Sequence, residues 1–417
     1  MNKKNILFIL PFMPYPLESG GHQALFNGIR AIKDHYNVFV SYAAIDNDIY
    51  RRNEQLLLDI MPEITLLPLL HYPKNLSTTQ KAYRSIKAIA KRIFRIKEDK
   101  RPSQIYDSWI PSVSPLDYEW AKHLESIFAN HTIDLVQVEM PRMIGAIWSI
   151  PKDKKVIFVH HELAFVRHEL ELEHIKDISY ANTLSEYTKM IELETLNKYN
   201  AILTLSEIDK QKLISAGIRI PVYSSFAVVD SAPYVERQNN RKILSFVGSD
   251  KHAPNYVGIH WFLKNCWPIL SSKDSEYSIQ IIGNWSDTAK SEIIKEYPFV
   301  KFLGFTPDLN EVASDTVMII PILIGSGIRM KILEAASRGI PFVSTSVGAE
   351  GLPFVDGESG IIRDTPEGFV EGILSLQDEI FARKISDAAH DIVNQIFSFK
   401  SFAEDRIHIL NQIENNA

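Results

Sequence analysis

Short apolar runs recur along the chain at Asn5–Leu10, Val38–Ala43, Leu135–Val138, Val156–Val159, Ala201–Leu205, Ile243–Val247, Ile279–Ile282, Val317–Ile320 and Phe342–Thr345. They are too short for core helices and too continuously apolar for strands with one wet face. Runs of this kind read as strands of a parallel sheet, covered on both sides. Helix-like stretches separate them, which is the pattern of repeated strand–helix–strand units. Two segments resemble the opening unit of a doubly wound domain. Asn5–Leu10 leads through a loop with Gly20 and Gly21 into a helical stretch at His22–Lys33. Ile243–Val247 leads through GSDKHAPN into a helical stretch at Tyr256–Leu263. Neither turn carries the G-x-G-x-x-G pattern of dinucleotide-binding folds.

Two such openings predict an α/β protein with two Rossmann-like halves. The polar run Asp230–Lys242 reads as the linker. The predicted division is residues 1–235 for the first domain and 240–397 for the second. An amphipathic helix at Ser398–Ile413 returns to the first domain as part of a final segment, 398–417. The apolar run in MNKKNILFILPFMPYP is cut short by Pro11 and has no small-residue cleavage site, so it is expected to be a buried first strand and not a leader. No apolar run approaches the ~18 residues of a membrane span.

Residues 80–97, QKAYRSIKAIAKRIFRIK, have a helical period with two faces. Tyr83, Ile86, Ala90 and Ile93 fall on one side, and Lys81, Arg84, Lys87, Lys91 and Arg95 on the other. Two readings stay open: a helix lying in an anionic membrane interface, or a surface helix packed on its own domain.

Composition narrows the field. The 417 residues exceed one ordinary core. The apolar fraction of 45% and charged fraction of 23% are globular values. A net charge of −6 argues against nucleic acid as a partner. The single cysteine, Cys266, lies in an apolar stretch and cannot form an internal disulfide, which fits a reducing, cytoplasmic setting.

The most chemically informative stretch is GSGIRMKILEA at 325–335. VMIIP before it reads as a buried strand, and MKILEAASRG after it as a helix closed by Gly339. Gly325–Gly327 therefore fall in a strand-to-helix crossover, at the strand's carboxyl end, where α/β sheets bind ligands. The lysine and hydroxyl residue of a P-loop are missing. Free N–H groups at the helix start favour an anion, and Arg329 and Lys331 add positive charge. A carboxylate would be repelled by phosphate, so Glu334 is better suited to sugar hydroxyls. Tight packing at the glycines, with Glu334 as a helix cap, is the alternative.

The segment PILIGSGIRMKILEAASRGIPFVSTSVGAEGL resembles the donor-binding signature of family 4 retaining glycosyltransferases, which have the two-domain GT-B fold. Other segments agree in order: LPFMPYPLESGGHQ, VIFVHHELAFVRHELE, ILTLSEIDKQKL, ILSFVGSDKHAPNYVGIHWFLKNCWPIL and FLGFTPDLNEVASDTVMIIP. The resemblance covers most of the chain and is weakest over 45–130. It implies transfer of a sugar from a UDP- or GDP-linked donor to a glycan or lipid-linked acceptor, with anomeric configuration retained. It implies no metal and no cofactor, and a site in the cleft between the domains. Surface polysaccharide or glycolipid synthesis is the setting that fits, in the cytoplasm or at the inner face of the membrane. A GT-B nucleotide-sugar epimerase and a non-catalytic nucleotide-sugar sensor are the alternatives.

Residue by residue, Glu334 matches the glutamate on the donor ribose. Arg329 and Lys331 match its flanks, with a phosphate-side role implied for one of them. Gly20 and Gly21 match the loop that approaches the diphosphate and the transferred sugar. His161 matches the histidine near the reacting sugar; a structural histidine, or a metal site shared with His160 and His168, are its other readings. Gly248 and Ser249 lie in the second domain's first turn, and Phe305 and Thr306 in the loop expected to border the base. Glu139, after the run LVQV, and Glu162 are acceptor-side candidates, with a loop salt bridge the other reading for Glu139.

Two departures stand out. The position eight residues before Glu334, often a second glutamate in the family, is Ser326. The sugar contact then falls to Ser326, to the amides of Gly325–Gly327, or is absent. The family's basic pair after the first strand of the second domain is replaced by Ser249 and Asn255, with Lys251 nearby.

Overall fold

The computed structural model describes residues 3–17, 20–71, 114–166, 169, 178–229, 232–234, 242–306, 309, 316–325 and 327–415. The basic stretch 80–97, His168, Ser326 and most of the expected linker lie outside the described residues.

In chain order the first sheet's elements are β1 (Lys4–Leu10), α1 (Gly20–Ile32), β2 (Tyr36–Ile45), α2 (Asp48–Ile60), β3 (Thr65–His71), α3 (Tyr118–Asn130), β4 (Leu135–Glu139), β5 (Lys155–His160), α4 (Ile178–Leu196), β6 (Ala201–Thr204), α5 (Glu207–Ser215) and β7 (Val222–Ser224). The second sheet's are β8 (Ile243–Val247), α6 (Ala253–Trp261), α7 (Trp267–Lys273), β9 (Ser278–Ile282), α8 (Asp287–Glu296), β10 (Lys301–Gly304), β11 (Thr316–Ile320), α9 (Met330–Ser337), β12 (Phe342–Ser344), α10 (Ser346–Ala349) and β13 (Ile361–Ile362). Helices α11 (Pro366–Ser375), α12 (Glu379–Ile396) and α13 (Phe399–Asn415) complete the chain.

The strand orders are β3-β2-β1-β4-β5-β6-β7 and β10-β9-β8-β11-β12-β13. The strand ladders are parallel, with Ile6 opposite Val38 and Leu135 in the first sheet and Leu244 opposite Ile279 and Val317 in the second. Both sheets are doubly wound. In each, the order reverses beside the first strand, between β1 and β4 and between β8 and β11. Crevices at the carboxyl ends of such reversals are where open α/β sheets hold ligands. Every residue of β4 and of β11 is buried, as expected of strands with helices on both faces.

The chain forms two compact units. One comprises 1–26, 33–158 and 172–200; the other comprises 27–32, 159–171 and 201–417. The core of the second unit gathers Leu244, Phe246, Ile279, Ile281, Ile319, Ile332 and Phe342, all fully buried. Cys266 is buried in this core, and burial pushes its thiol up to about 12, so it packs as a small apolar side chain. Within this unit α13 buries Phe402, Ile409, Leu410 and Ile413, and Arg30 lies over the ring of Phe399 at 3.7 Å.

Two details differ from the sequence expectation. Gly20 and Gly21 are not in the loop before α1; they form its first turn. The apolar periodicity begins only at Leu25, with Phe26, Ile29 and Ile32 following, so the hydrophobic signal starts a turn late. The helix expected at Tyr256–Leu263 continues to Lys273, through a π turn at Phe262–Cys266 and then α7. Pro268 reads as a stop in sequence, but it sits in the first turn of α7, where its missing N–H costs little.

Candidate active site

The site grows from the glycine loop between β11 and α9, all within the second unit. Gly325 and Gly327 are both left-handed, at φ +114° and +81°. A side chain is excluded at Gly327 twice over. The conformation disfavours an L residue, and a Cβ there would stand 2.6 Å from the His161 carbonyl oxygen. The loop therefore lies directly against the turn after β5. Arg329 is the N-cap residue of α9 and is 8% exposed. Its Nη1 donates to the Gly327 carbonyl at 2.5 Å, pinning the loop from within.

Three carboxylates act on that guanidinium. Burial lowers the Arg329 pKa, while Glu162, Glu350 and Asp209 act against the shift. Asp209, itself buried, is raised by burial and accepts from Ser206 Oγ at 2.8 Å. Glu350 pairs with Lys212 at 2.5 Å. Arg329 thus interacts electrostatically with Glu162, Asp209 and Glu350. Glu162, expected on the acceptor side, thus lies in the electrostatic surroundings of Arg329.

The second wall comes from the ends of β8, β9 and β10. Gly248 leaves β8 at φ +153°, and a Cβ there would meet Asn255 Nδ2 at 2.6 Å. Trp285 Nε1 donates to the Gly248 carbonyl at 2.7 Å. The Gly283 amide donates to Gly304 at 2.7 Å, which joins the β9 and β10 ends. Phe305 follows, 50% exposed, with Thr306 half-buried beyond it. An exposed ring at a sheet's carboxyl edge is a ready stacking surface for a planar base.

Asn255 joins the two walls. Its Nδ2 donates to the Ser249 carbonyl at 3.0 Å, and its Oδ1 accepts from Lys331 Nζ at 2.7 Å. Lys331 also stands over the Phe246 ring at 4.6 Å. The residue as a whole is half-buried, but its ammonium end is enclosed. Burial first, and Arg329 second, bring its pKa down to about 7, with Glu334 pulling the other way. Glu334 sits one turn into α9, half-buried. It is inside the helix and not at its N-cap, so the capping alternative does not hold.

Sequence reasoning grouped Gly248, Ser249, Gly325, Gly327, Arg329, Lys331, Glu334, Phe305, Thr306, His161 and Glu162, and all of these fall in one unit. Gly20, Gly21 and Glu139 belong to the other. Glu139 ends β4 beside the reversal of the first sheet, 2% exposed, and accepts from Gln137 Nε2 at 2.6 Å. The residue after it, Met140, holds a positive φ of 71° without being glycine. Sequence reasoning did not single out Asp209, Glu350, Ser206 or Trp285. The partners of Glu350 and Trp285 lie far away in the chain, at Lys212 and Gly248, while Ser206 and Asp209 form a local N-cap pair that in sequence reads only as a helix start.

Chemically, the site offers backbone amides at a helix start, one enclosed lysine and a carboxylate a turn further on. That set suits a diphosphate next to a polyol. Residues 241–379 match the family of glycosyl transferases group 1. Across 98% of this chain and 99% of the other, the fold is similar to that of Anabaena Alr3699/HepE in complex with UDP-glucose, with a TM-score of 0.65 and 14% identity. It is likewise similar to sucrose-phosphate synthase from Thermosynechococcus elongatus, with a TM-score of 0.70, 11% identity and all of both chains covered. A Klebsiella pneumoniae relative, described as an uncharacterized 44.6 kDa protein in cps region, is 24% identical over 300 residues, 68% of this chain and 74% of its own length. These findings define the fold as GT-B, with a group 1 glycosyl transferase match confined to the second half of the chain. The matched segment runs from just before β8 into the start of α12 and includes the glycine loop, Asn255, Lys331 and Glu334.

Proposed function

We propose that the enzyme transfers a sugar from a nucleotide-sugar donor to a glycan or lipid-linked acceptor, with retention of anomeric configuration and without a metal. The observation that carries this reading is the segment Gly325–Glu334 at the end of β11, beside the sheet reversal. There two left-handed glycines, an enclosed lysine and a half-buried glutamate follow one another from the crossover into the first turns of α9, which supports binding of a diphosphate beside a polyol. The diphosphate would lie against the loop amides and Lys331, the ribose against Glu334, and the base toward Phe305. Fixed N–H dipoles stabilise the leaving diphosphate as the sugar gains positive charge, and they need no reorganisation to do so. The acceptor hydroxyl attacks the same face and passes its proton to the departing phosphate. His161, fixed beside Gly327, is assigned to the transferred sugar. UDP is the favoured nucleotide, supported by the UDP-glucose complex of the similar HepE fold. The relative in a cps region supports polysaccharide synthesis as the setting.

A thermal-shift screen of UDP-, GDP- and ADP-sugars tests the reading. At least one donor raises Tm, and the shift is lost in Glu334→Ala. A full-sized shift in that variant removes Glu334 from the site.

A further inference from the structure

We infer that Lys331, positioned by Asn255, is the cation that meets the donor's diphosphate, and that it takes up a proton from solvent as the donor binds. Arg329, by contrast, shapes the loop. The inference rests on the nucleotide-sugar reading of the site and says which of its two basic residues does which task.

The geometry separates the two. Arg329 directs its guanidinium back to the carbonyl of Gly327, and the charges that act on it are Glu162, Glu350 and Asp209. A Cβ at Gly325 would lie 3.0 Å from Arg329 Nη2, so the guanidinium packs directly beneath the loop. Lys331 reaches across to the other loop, where Asn255 holds it at 2.7 Å and at the same time holds the Ser249 carbonyl. One amide thus fixes the ammonium relative to the turn that follows β8, at the sheet reversal. The positive charge at this turn comes from α9.

The surroundings of Lys331 set its protonation. Phe246 of β8 offers a ring face, Asn255 of α6 a neutral oxygen, Glu334 of its own helix a negative charge, and Arg329 just before the helix a positive one. With a pKa of about 7, the lysine is ~90% neutral at pH 8 in the empty site. A diphosphate beside it favours the ammonium form, so the amine gains a proton that the buffer supplies. No bond other than N–H is formed. The nucleotide's terminal phosphate, with a pKa near ~6, is already ionised at pH 8 and gives up nothing in return.

The experiment is calorimetric titration of the full-length enzyme with UDP at pH 8, in buffers of different ionisation enthalpy. The expected result is uptake of close to one proton per UDP. Affinity should weaken by up to about tenfold per pH unit between pH 7.5 and 9. Lys331→Arg should bind UDP with no buffer dependence and a flat pH profile, because its charge is permanent. Asn255→Ala should bind more weakly and keep the proton uptake, which a merely structural asparagine would not separate. Binding by the wild-type enzyme without buffer dependence overturns the inference and leaves the nucleotide reading intact. The same uptake in Lys331→Arg overturns it as well, since the proton then goes elsewhere. If UDP, GDP and ADP all fail to bind, both readings fall together.

Discussion

At the scale of single residues, the glycine loop is fixed by contacts that leave little freedom. Gly327→Ala places a methyl group against the His161 carbonyl in a backbone conformation that favours glycine. The two penalties together amount to about 1–3 kcal/mol of strain, relieved only if the loop moves. The expected outcome is a lower Tm and loss of the donor-induced shift, read by the same thermal assay. Lys331 gives a prediction of opposite sign. Its folded pKa lies below the ordinary lysine value, so between pH ~7 and ~10.5 the unfolded chain binds more protons than the native one. Burying this lysine therefore costs stability most below pH 7, and the cost fades as pH rises toward 10.5. Lys331→Met should raise the Tm of the empty enzyme at pH 7, and that advantage should shrink steadily by pH 10. A gap independent of pH would mean that the lysine stays charged in the fold. Little of this was legible in the sequence. GSGIRMKILEA announces an anion site through its glycines and basic residues. It does not say that Arg329 turns inward while Lys331 reaches Asn255, because that depends on a residue 76 positions earlier in the chain.

At the scale of elements, the hydrophobic pattern located nine strands, and all nine are interior strands of their sheets. Among the described residues, the four strands it missed, β3, β7, β10 and β13, are the outermost ones of their sheets. Interior strands are buried on both faces and read as continuous apolar runs. Edge strands need no such run. β3 even carries Pro68, opposite Tyr42, which argues against a strand in sequence yet is tolerated where one side of the ladder is unpaired. β13 is only two residues long, too short to leave a pattern. The basic stretch 80–97 supplies a prediction at this scale. The full-length enzyme should bind vesicles containing anionic lipid, and binding should weaken with added salt. Neutralising Arg84, Lys87 and Lys91 together should reduce partitioning by about a hundredfold, at roughly 1 kcal/mol per basic residue. Unchanged partitioning would assign this stretch to the surface of its own domain.

At the scale of the molecule, two doubly wound sheets each provide a reversal point, and the chain places distinct chemistry at each. The reversal of the second sheet carries the glycine loop, Asn255 and Lys331. That of the first carries Glu139, buried beside Gln137 and followed by a positive-φ methionine. The reversal of the second sheet thus combines a helix start with an enclosed lysine, the chemistry proposed above for a diphosphate. That of the first sheet holds a buried carboxylate engaged by Gln137. Among the described residues no helix is long and apolar enough to cross a membrane. The central claim is that residues 325–334 hold a nucleotide sugar for transfer. Release of UDP from UDP-glucose and other UDP-sugars, followed in the presence of a lipid-linked or glycan acceptor mixture and of EDTA, tests it most directly. The account predicts acceptor-dependent release that EDTA leaves unchanged and a KM for the donor at least about tenfold higher in Glu334→Ala, the loss of ~1.4 kcal/mol or more of binding. Wild-type donor kinetics in Glu334→Ala, or release that stops with EDTA, would contradict it.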